Sequence, residues 1–158
     1  MEAGAEFGLK PFGIRAMDAM RLEKSYRLIP REMSVEYSAY ESALDRFVKM
    51  DKEFVGRVGL AAWEGRGRDW AFGTLEVDGV DDADARGSEV ILKDGEMIGR
   101  ATSGGYGFRV GKSLALAMVK PEFAAEGTTM DLVILGEKRA ATVVGESPFD
   151  PTNERLRA

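Results

Sequence analysis

The 158-residue sequence contains no cysteine and no histidine. Without cysteine there are no disulfides, no thiolate nucleophile and no iron-sulfur ligation of the usual kind, a composition compatible with reducing surroundings. Without histidine no imidazole can act as general base, metal ligand or triad member, which excludes zinc and serine hydrolases in their usual forms. Acid and base chemistry is left to Asp, Glu, Lys or Tyr. Long apolar runs are missing as well: none approaches the roughly 20 residues of a spanning helix. Residues 1–11 have neither the basic start nor the apolar stretch of a secretory signal. The expectation is a soluble protein with no membrane partner, in a cytosolic-type compartment. Net charge is only −5, with Lys and Arg interspersed among Asp and Glu, so no basic stripe offers itself to nucleic acid.

What is present can support a real core, since 44% of the residues are hydrophobic at a length typical of one domain. The first third favours helix. Ala16, Ala19, Met20 and Leu22 predict a helix over residues 13–29, with Pro30 as its stop. Residues 38–51, with Phe47, Val48 and Met50, read as a strand entering a turn, and residues 53–63 as a short helix. Gly56 and Gly59 each cost that helix about 1 kcal/mol relative to Ala, so its support must be tertiary. The charged, Gly-rich run from Glu64 to Asp69 marks a boundary, giving expected units of 1–64 and 65–158.

Beyond Trp70 the pattern becomes short strands at 70–77, 88–93, 96–103, 112–119, 128–135 and 138–145. Asp94-Gly95 is a strong two-residue hairpin signal, Gly136-Glu137 marks a second tight turn, and Pro121 ends a strand ahead of a crossing loop at 122–127. Residues 79–87 are acidic and read as a surface loop. The expected class is α+β, a helical layer followed by a small antiparallel β-barrel of jelly-roll or Greek-key type.

Two short motifs fail on inspection. Gly111-Lys112-Ser113 ends like a phosphate-binding loop, but Tyr106 stands where the first glycine is required, and strand-like residues follow instead of a helix. A glycine-rich bend between two strands is the reading that fits residues 104–113. Asp78, Asp81, Asp82 and Asp84 lack the glycine and terminal glutamate of the common calcium loop and read as a solvated charge run.

Longer segments point elsewhere. Residues 16–24 (AMDAMRLEK), 47–52 (FVKMDK) and 54–57 (FVGR) are followed by Asp94-Gly95, Gly99-Arg100, Thr102 to Tyr106 (TSGGY), residues 111–115 (GKSLA), Pro121-Glu122, Gly127-Thr128 and residues 148–153 (PFDPTN). This ordered set resembles the C-terminal part of the glycine-cleavage T-protein, or aminomethyltransferase, family. It is most similar to the tails that dimethylglycine and sarcosine dehydrogenases carry behind a flavin domain, though no flavin domain lies in this chain. Departures sit at Ser38 to Glu41, where relatives have a Thr-Pro-Leu-Glu-like segment, and at residues 28–31. The related iron-sulfur assembly factor carries a Lys-Gly-Cys-Tyr-like motif, which a chain without cysteine lacks.

The resemblance implies transfer of a one-carbon unit from a small amine to tetrahydrofolate. It places residues 1–64 as the remnant of the folate-binding layer and 65–158 as the family's barrel. Arg21, in its Arg-Leu-Glu segment, matches the family's folate-contacting arginine; an ion pair with Asp18 is the structural alternative that i,i+3 spacing permits. Tyr26 and Tyr106 are further folate-site candidates, and Arg155 lies in a segment that reaches the folate pocket in relatives. The family's proton-handling carboxylate and pteridine-reading glutamate come from an N-terminal region, so catalysis is expected to draw on residues outside this sequence. No residue here is assigned as catalytic, and no metal site is expected. Expected partners are folate and either an N-terminal half, a flavin-containing polypeptide or a second copy. The alternative is a non-catalytic folate-binding or interaction module. The compartment implied is bacterial cytoplasm, or the mitochondrial matrix for a eukaryotic chain.

Overall fold

Alternating apolar residues and turn dipeptides beyond Trp70 produce six antiparallel strands in the computed structural model, which describes residues 2–79 and 82–158. These are β1 (Ala71–Val77), β2 (Val90–Lys93), β3 (Glu96–Gly107), β4 (Lys112–Val119), β5 (Thr129–Ile134) and β6 (Glu137–Val144). They close into a barrel in the order β1-β4-β3-β2-β5-β6, with β6 returning to β1. The meander β2-β3-β4 is flanked by β5 beside β2 and β1 beside β4, two Greek keys sharing three strands. Asp94 and Gly95 both take positive φ (53° and 87°), the geometry of the tight hairpin turn their sequence signals. The β5–β6 turn centres on Leu135-Gly136, one residue before the expected pair, because Ile134 is paired with Glu137.

The barrel interior is apolar. Leu75, Ile91, Ala101, Ala115, Ala117, Val119 and Leu132 are fully buried within it, each large aliphatic contributing about 1.5–3 kcal/mol. β4 is buried on both faces: Ala115, Ala117 and Val119 face the core, while Leu114, Leu116 and Met118 are covered from outside. That double burial explains why SLALAMV is a continuous apolar run instead of an alternating one.

Part of the outer cover is the helix α2 (Ile14–Glu23), which follows a four-residue helix α1 (Glu2–Ala5). The helix is shorter than the expected 13–29 and Pro30 is not its stop. It ends in a Schellman motif, with Tyr26 N–H donating to the Arg21 carbonyl and Ser25 N–H to the Leu22 carbonyl. Ser25 occupies the left-handed position (φ 53°) usually held by glycine, and its hydroxyl is held by Thr74 (2.8 Å) and the Ser147 N–H (3.0 Å).

Residues 38–51 do not form the expected strand. They fold into turns and a 3-10 turn (Asp45–Phe47), because Glu41 is buried and gathers the N–H groups of Ser38, Asp69 and Trp70, leaving Phe47 largely exposed. The helix α3 (Arg57–Glu64) starts four residues later than expected, after Gly56 at φ 93°, and buries no residue.

The glycine-rich segment 104–113 does link two barrel strands, but the bend is confined to its second half. Gly104, Gly105 and Gly107 belong to β3, and the turn lies at 108–111. A Cβ on Gly104 would sit 2.5 Å from the Ala85 carbonyl, and one on Gly107 2.8 Å from Val110 and 3.0 Å from Glu23. Glycine here lets α2 and the 82–87 loop lie directly on the strand. That loop is also more than surface: Ala85 is fully buried, Asp84 accepts the Ser113 hydroxyl at 2.6 Å, and Asp82 pairs with Arg139 at 3.0 Å. Asp78 is exposed, and Asp81, the remaining member of the acidic run, lies outside the described residues.

Candidate functional site

The end of α2 is where three parts of the chain converge. Lys24, just past the helix, donates to the Phe149 carbonyl (3.2 Å), the Asp150 carbonyl (2.6 Å) and Asn153 Oδ1 (2.7 Å). An ammonium has three N–H donors, and all three are spent on the C-terminal segment. The backbone adds to this, since Phe149 N–H donates to the Glu23 carbonyl at 2.9 Å. Arg27, almost wholly buried, lies over the Phe72 ring at 3.8 Å, pairs with Glu146, and donates to the carbonyls of Ser25, Ser42 and Ala43. It fixes the segment after α2 onto β1.

Arg21 is the centre of this region, with its side chain only 10% exposed. Its Nε donates to Asp18 (2.6 Å), one terminal nitrogen to the Tyr26 carbonyl (3.2 Å) and the other to Ser103 Oγ on β3 (2.9 Å). The ion pair with Asp18 that the spacing permits is therefore formed. Three of the five guanidinium donors are engaged and two remain. Glu32, fully buried, sits 3.8 Å from the same guanidinium. Its Oε2 accepts from Leu28 N–H at 2.9 Å, and its Oε1 from the hydroxyls of Thr102 (2.6 Å) and Ser103 (2.5 Å).

Beside this network lies a cleft of about 600 Å³ between α2, the 82–86 loop and the end of β3. Its walls include Asp18 and Leu22 from α2, Gly105, Tyr106 and Phe108 from the barrel, and the arginines Arg15, Arg31 and Arg86. Tyr106 and Phe108 pack edge to face, 5.1 Å between ring centres. Among the described residues Arg15, Arg31 and Arg86 make no ion pair, whereas Asp18 and Asp82 are each paired with an arginine elsewhere. The cleft therefore offers an aromatic wall beside arginines that no carboxylate among the described residues neutralises, Arg31 donating only to the Arg86 carbonyl (3.1 Å) and Ser103 Oγ (3.4 Å), an arrangement suited to a flat ligand bearing carboxylates.

The structure brings the sequence candidates together only in part. Arg21 and Tyr26 meet through the Tyr26 backbone, while the Tyr26 side chain is half exposed. Tyr106 lines the cleft, and Arg155 lies over the Phe149 ring at 5.5 Å, in the segment that Lys24 holds. Sequence reading missed Lys24, Arg27, Glu32 and Ser103. Glu32 sits in an irregular segment and its hydroxyl partners are 70 and 71 residues away, so no local spacing marks it.

A second polar contact, buried only at Tyr37, binds the same segment to β3. Arg100 donates to the Tyr37 hydroxyl (2.7 and 3.0 Å) and pairs with Glu36. Burial holds the Tyr37 hydroxyl above its ordinary value, and the Tyr37 hydrogen bond raises Arg100.

Comparison with known proteins places this geometry in a family. Residues 72–150 match the glycine cleavage T-protein C-terminal barrel domain, and residues 1–52 the T-protein N-terminal domain. The chain is 35% identical to mitochondrial dimethylglycine dehydrogenase of Rattus norvegicus over 99% of its own length and 19% of that protein's. It is 32% identical to a probable aminomethyltransferase of Thermococcus kodakarensis, covering 96% of this chain and 40% of that one. The crystal structure of glycine cleavage system aminomethyltransferase T from Bartonella henselae superposes with a TM-score of 0.80 at 24% identity, over 88% of this chain and 39% of that one, and so shares the fold. The chain thus spans well under half the length of these relatives, and no described helix is long and apolar enough to cross a membrane. With family models matched on both sides of the α2–barrel junction, the chain belongs to the glycine cleavage T-protein family.

Proposed function

We propose that this chain is the C-terminal part of a tetrahydrofolate-dependent aminomethyltransferase or demethylase, which moves a one-carbon unit from a small amine to tetrahydrofolate. Donors of the class are a glycine-derived aminomethyl group, dimethylglycine or sarcosine. In this reading residues 1–64 are the C-terminal remnant of the folate-binding layer and 65–158 the barrel domain that closes on it. The observation that carries the reading is the Arg21 guanidinium, anchored to α2 and β3 at once, with two donors unspent, beside a cleft walled by Tyr106.

The residues present suit the ligand. A pteridine needs a flat apolar face and the glutamyl tail needs cations. Tyr106 and Phe108 supply the first; Arg15, Arg31 and Arg86 supply the second. Arg21 stands one contact behind the wall through its ion pair with Asp18, and Tyr26 and Arg155, which do not line the cleft, are the outlying candidates of this reading. Tetrahydrofolate, when bound, accepts the one-carbon unit; this chain's residues bind and orient it. Proton transfer at the amine falls to a partner region. Phe7, Leu9, Phe12, Ile14, Met17 and Met20 are all exposed along α2 and the connection that precedes it, an apolar stretch suited to such a partner, whether an N-terminal half, a flavin-containing polypeptide or a second copy. The compartment is cytoplasm in a bacterium or mitochondrial matrix in a eukaryote.

Calorimetric titration of tetrahydrofolate into the chain tests the reading. Binding is expected, and Arg21→Ala is expected to weaken it by about 1.5–3 kcal/mol, the range of a charge-assisted contact. Absence of heat with the unaltered chain sinks the reading that it holds folate by itself. Unchanged affinity in the variant assigns Arg21 to structure.

A further inference from the structure

Consecutive residues of a regular strand point to opposite faces, yet Thr102 and Ser103 both place their hydroxyls on the same oxygen of Glu32. The register of β3 against β4 explains how. Ala101 is opposite Ala117 and Ser103 is opposite Leu116, so Thr102 is the extra residue of a β-bulge. Bulges re-aim side chains at defined points of a sheet. Here the bulge turns two neighbouring hydroxyls toward one buried carboxylate.

The polarity of the hydrogen bonds then follows. A serine hydroxyl has one proton and two lone pairs. Ser103 gives its proton to Glu32 Oε1, so its lone pairs face outward and accept Arg21 at 2.9 Å and Arg31 at 3.4 Å. Glu32 is itself fixed by Leu28 N–H, and its backbone carbonyl accepts the Ser42 hydroxyl at 2.7 Å. Glu32, Thr102 and Ser103 therefore form a rigid chain that ends on the guanidinium of Arg21. We propose that Glu32 and Ser103 are positioning residues, which use the β3 bulge to hold Arg21 in one orientation for its ligand. The claim about ligand rests on the folate reading above; the claim about the guanidinium does not.

Two measurements on the full chain separate the claims. The first is the rotation rate about the Arg21 Nε–Cζ bond, read by NMR from exchange between its two terminal nitrogens. Ser103→Ala and Glu32→Gln are expected to speed rotation about tenfold, in line with the loss of a charge-assisted hydrogen bond. Thr102→Ser, which keeps the hydroxyl, is expected to keep the original rate. Ser103→Ala removes one atom from a buried site and is the variant least able to unfold the chain. Rotation unchanged in both Ser103→Ala and Glu32→Gln overturns the proposal.

The second is a double-mutant cycle on tetrahydrofolate affinity. Ser103→Ala is expected to weaken binding about fivefold in the original chain and to have no effect once Arg21 is alanine. An equal loss in both backgrounds overturns the positioning role while leaving folate binding intact. Faster rotation in a chain that binds no folate sustains the positioning of Arg21 and removes the folate reading instead.

Discussion

Residues 2–70 and the barrel, residues 71–144, are held by opposite kinds of contact. In the barrel the buried side chains are overwhelmingly aliphatic, from Leu75 on β1 to Val143 on β6. In the preceding region only Leu22 and Tyr37 are buried hydrophobics among the described residues, while Glu23, Ser25, Glu32, Ser38, Glu41 and Ser42 are all buried. Its own large apolar residues, Phe7, Phe12, Ile14 and Val58 among them, face outward. The barrel makes a core; the region before it is riveted to that core by satisfied polar groups. Buried polar contacts are directional, so they specify where α2 sits more sharply than they stabilise it.

The contrast can be broken by substitution. Leu132→Ala, inside the barrel, is expected to lower global stability by about 2–5 kcal/mol through cavity formation, measured by denaturant unfolding. Arg27→Ala strips partners from Glu146 and three carbonyls and is expected to cost about 2–3 kcal/mol of local stability. The expected signature is faster proteolysis within residues 24–56, with the barrel transition nearly unmoved. If Arg27→Ala shifts the global transition as far as Leu132→Ala, the two regions unfold as one and the contrast is lost.

Lys24→Ala is a smaller lesion, expected to cost about 1–2 kcal/mol and to release residues 148–158, visible as loss of amide protection there. The smallest effect concerns pH. Tyr37 titrates above its ordinary value of 10.0 in the folded chain because it is buried. A raised folded value favours folding while the hydroxyl keeps its proton, so this contribution is complete below the unfolded value and falls as pH rises through the folded one. Stability of the original chain is expected to decline more steeply above pH 10 than that of Tyr37→Phe.

The same contrast explains what the sequence disclosed. Strands with alternating or continuous apolar residues, and Asp94-Gly95 between two of them, announce the barrel because period and turn chemistry are local signals. The region before it has no such period. Ser25 ends α2 from a position where glycine is usual, and its partners Thr74 and Ser147 are remote in sequence. Phe47 and Val48 look like strand residues, but the buried carboxylate of Glu41 organises that segment into turns. The site divides in the same way. Arg21 and Tyr106 are candidates that family resemblance supplies, whereas Glu32 and Ser103 become candidates only once the β3 bulge is seen to bring them together.

Hydrogen exchange of the whole chain with and without tetrahydrofolate tests the central claim most directly, since it reports both the barrel and the ligand contact. The slowest amides are expected in β1, β3 and β4 in either state, with added ligand slowing exchange at residues 18–26 and 102–108. No ligand-dependent change in those two segments, or protection confined to β5 and β6, contradicts that claim.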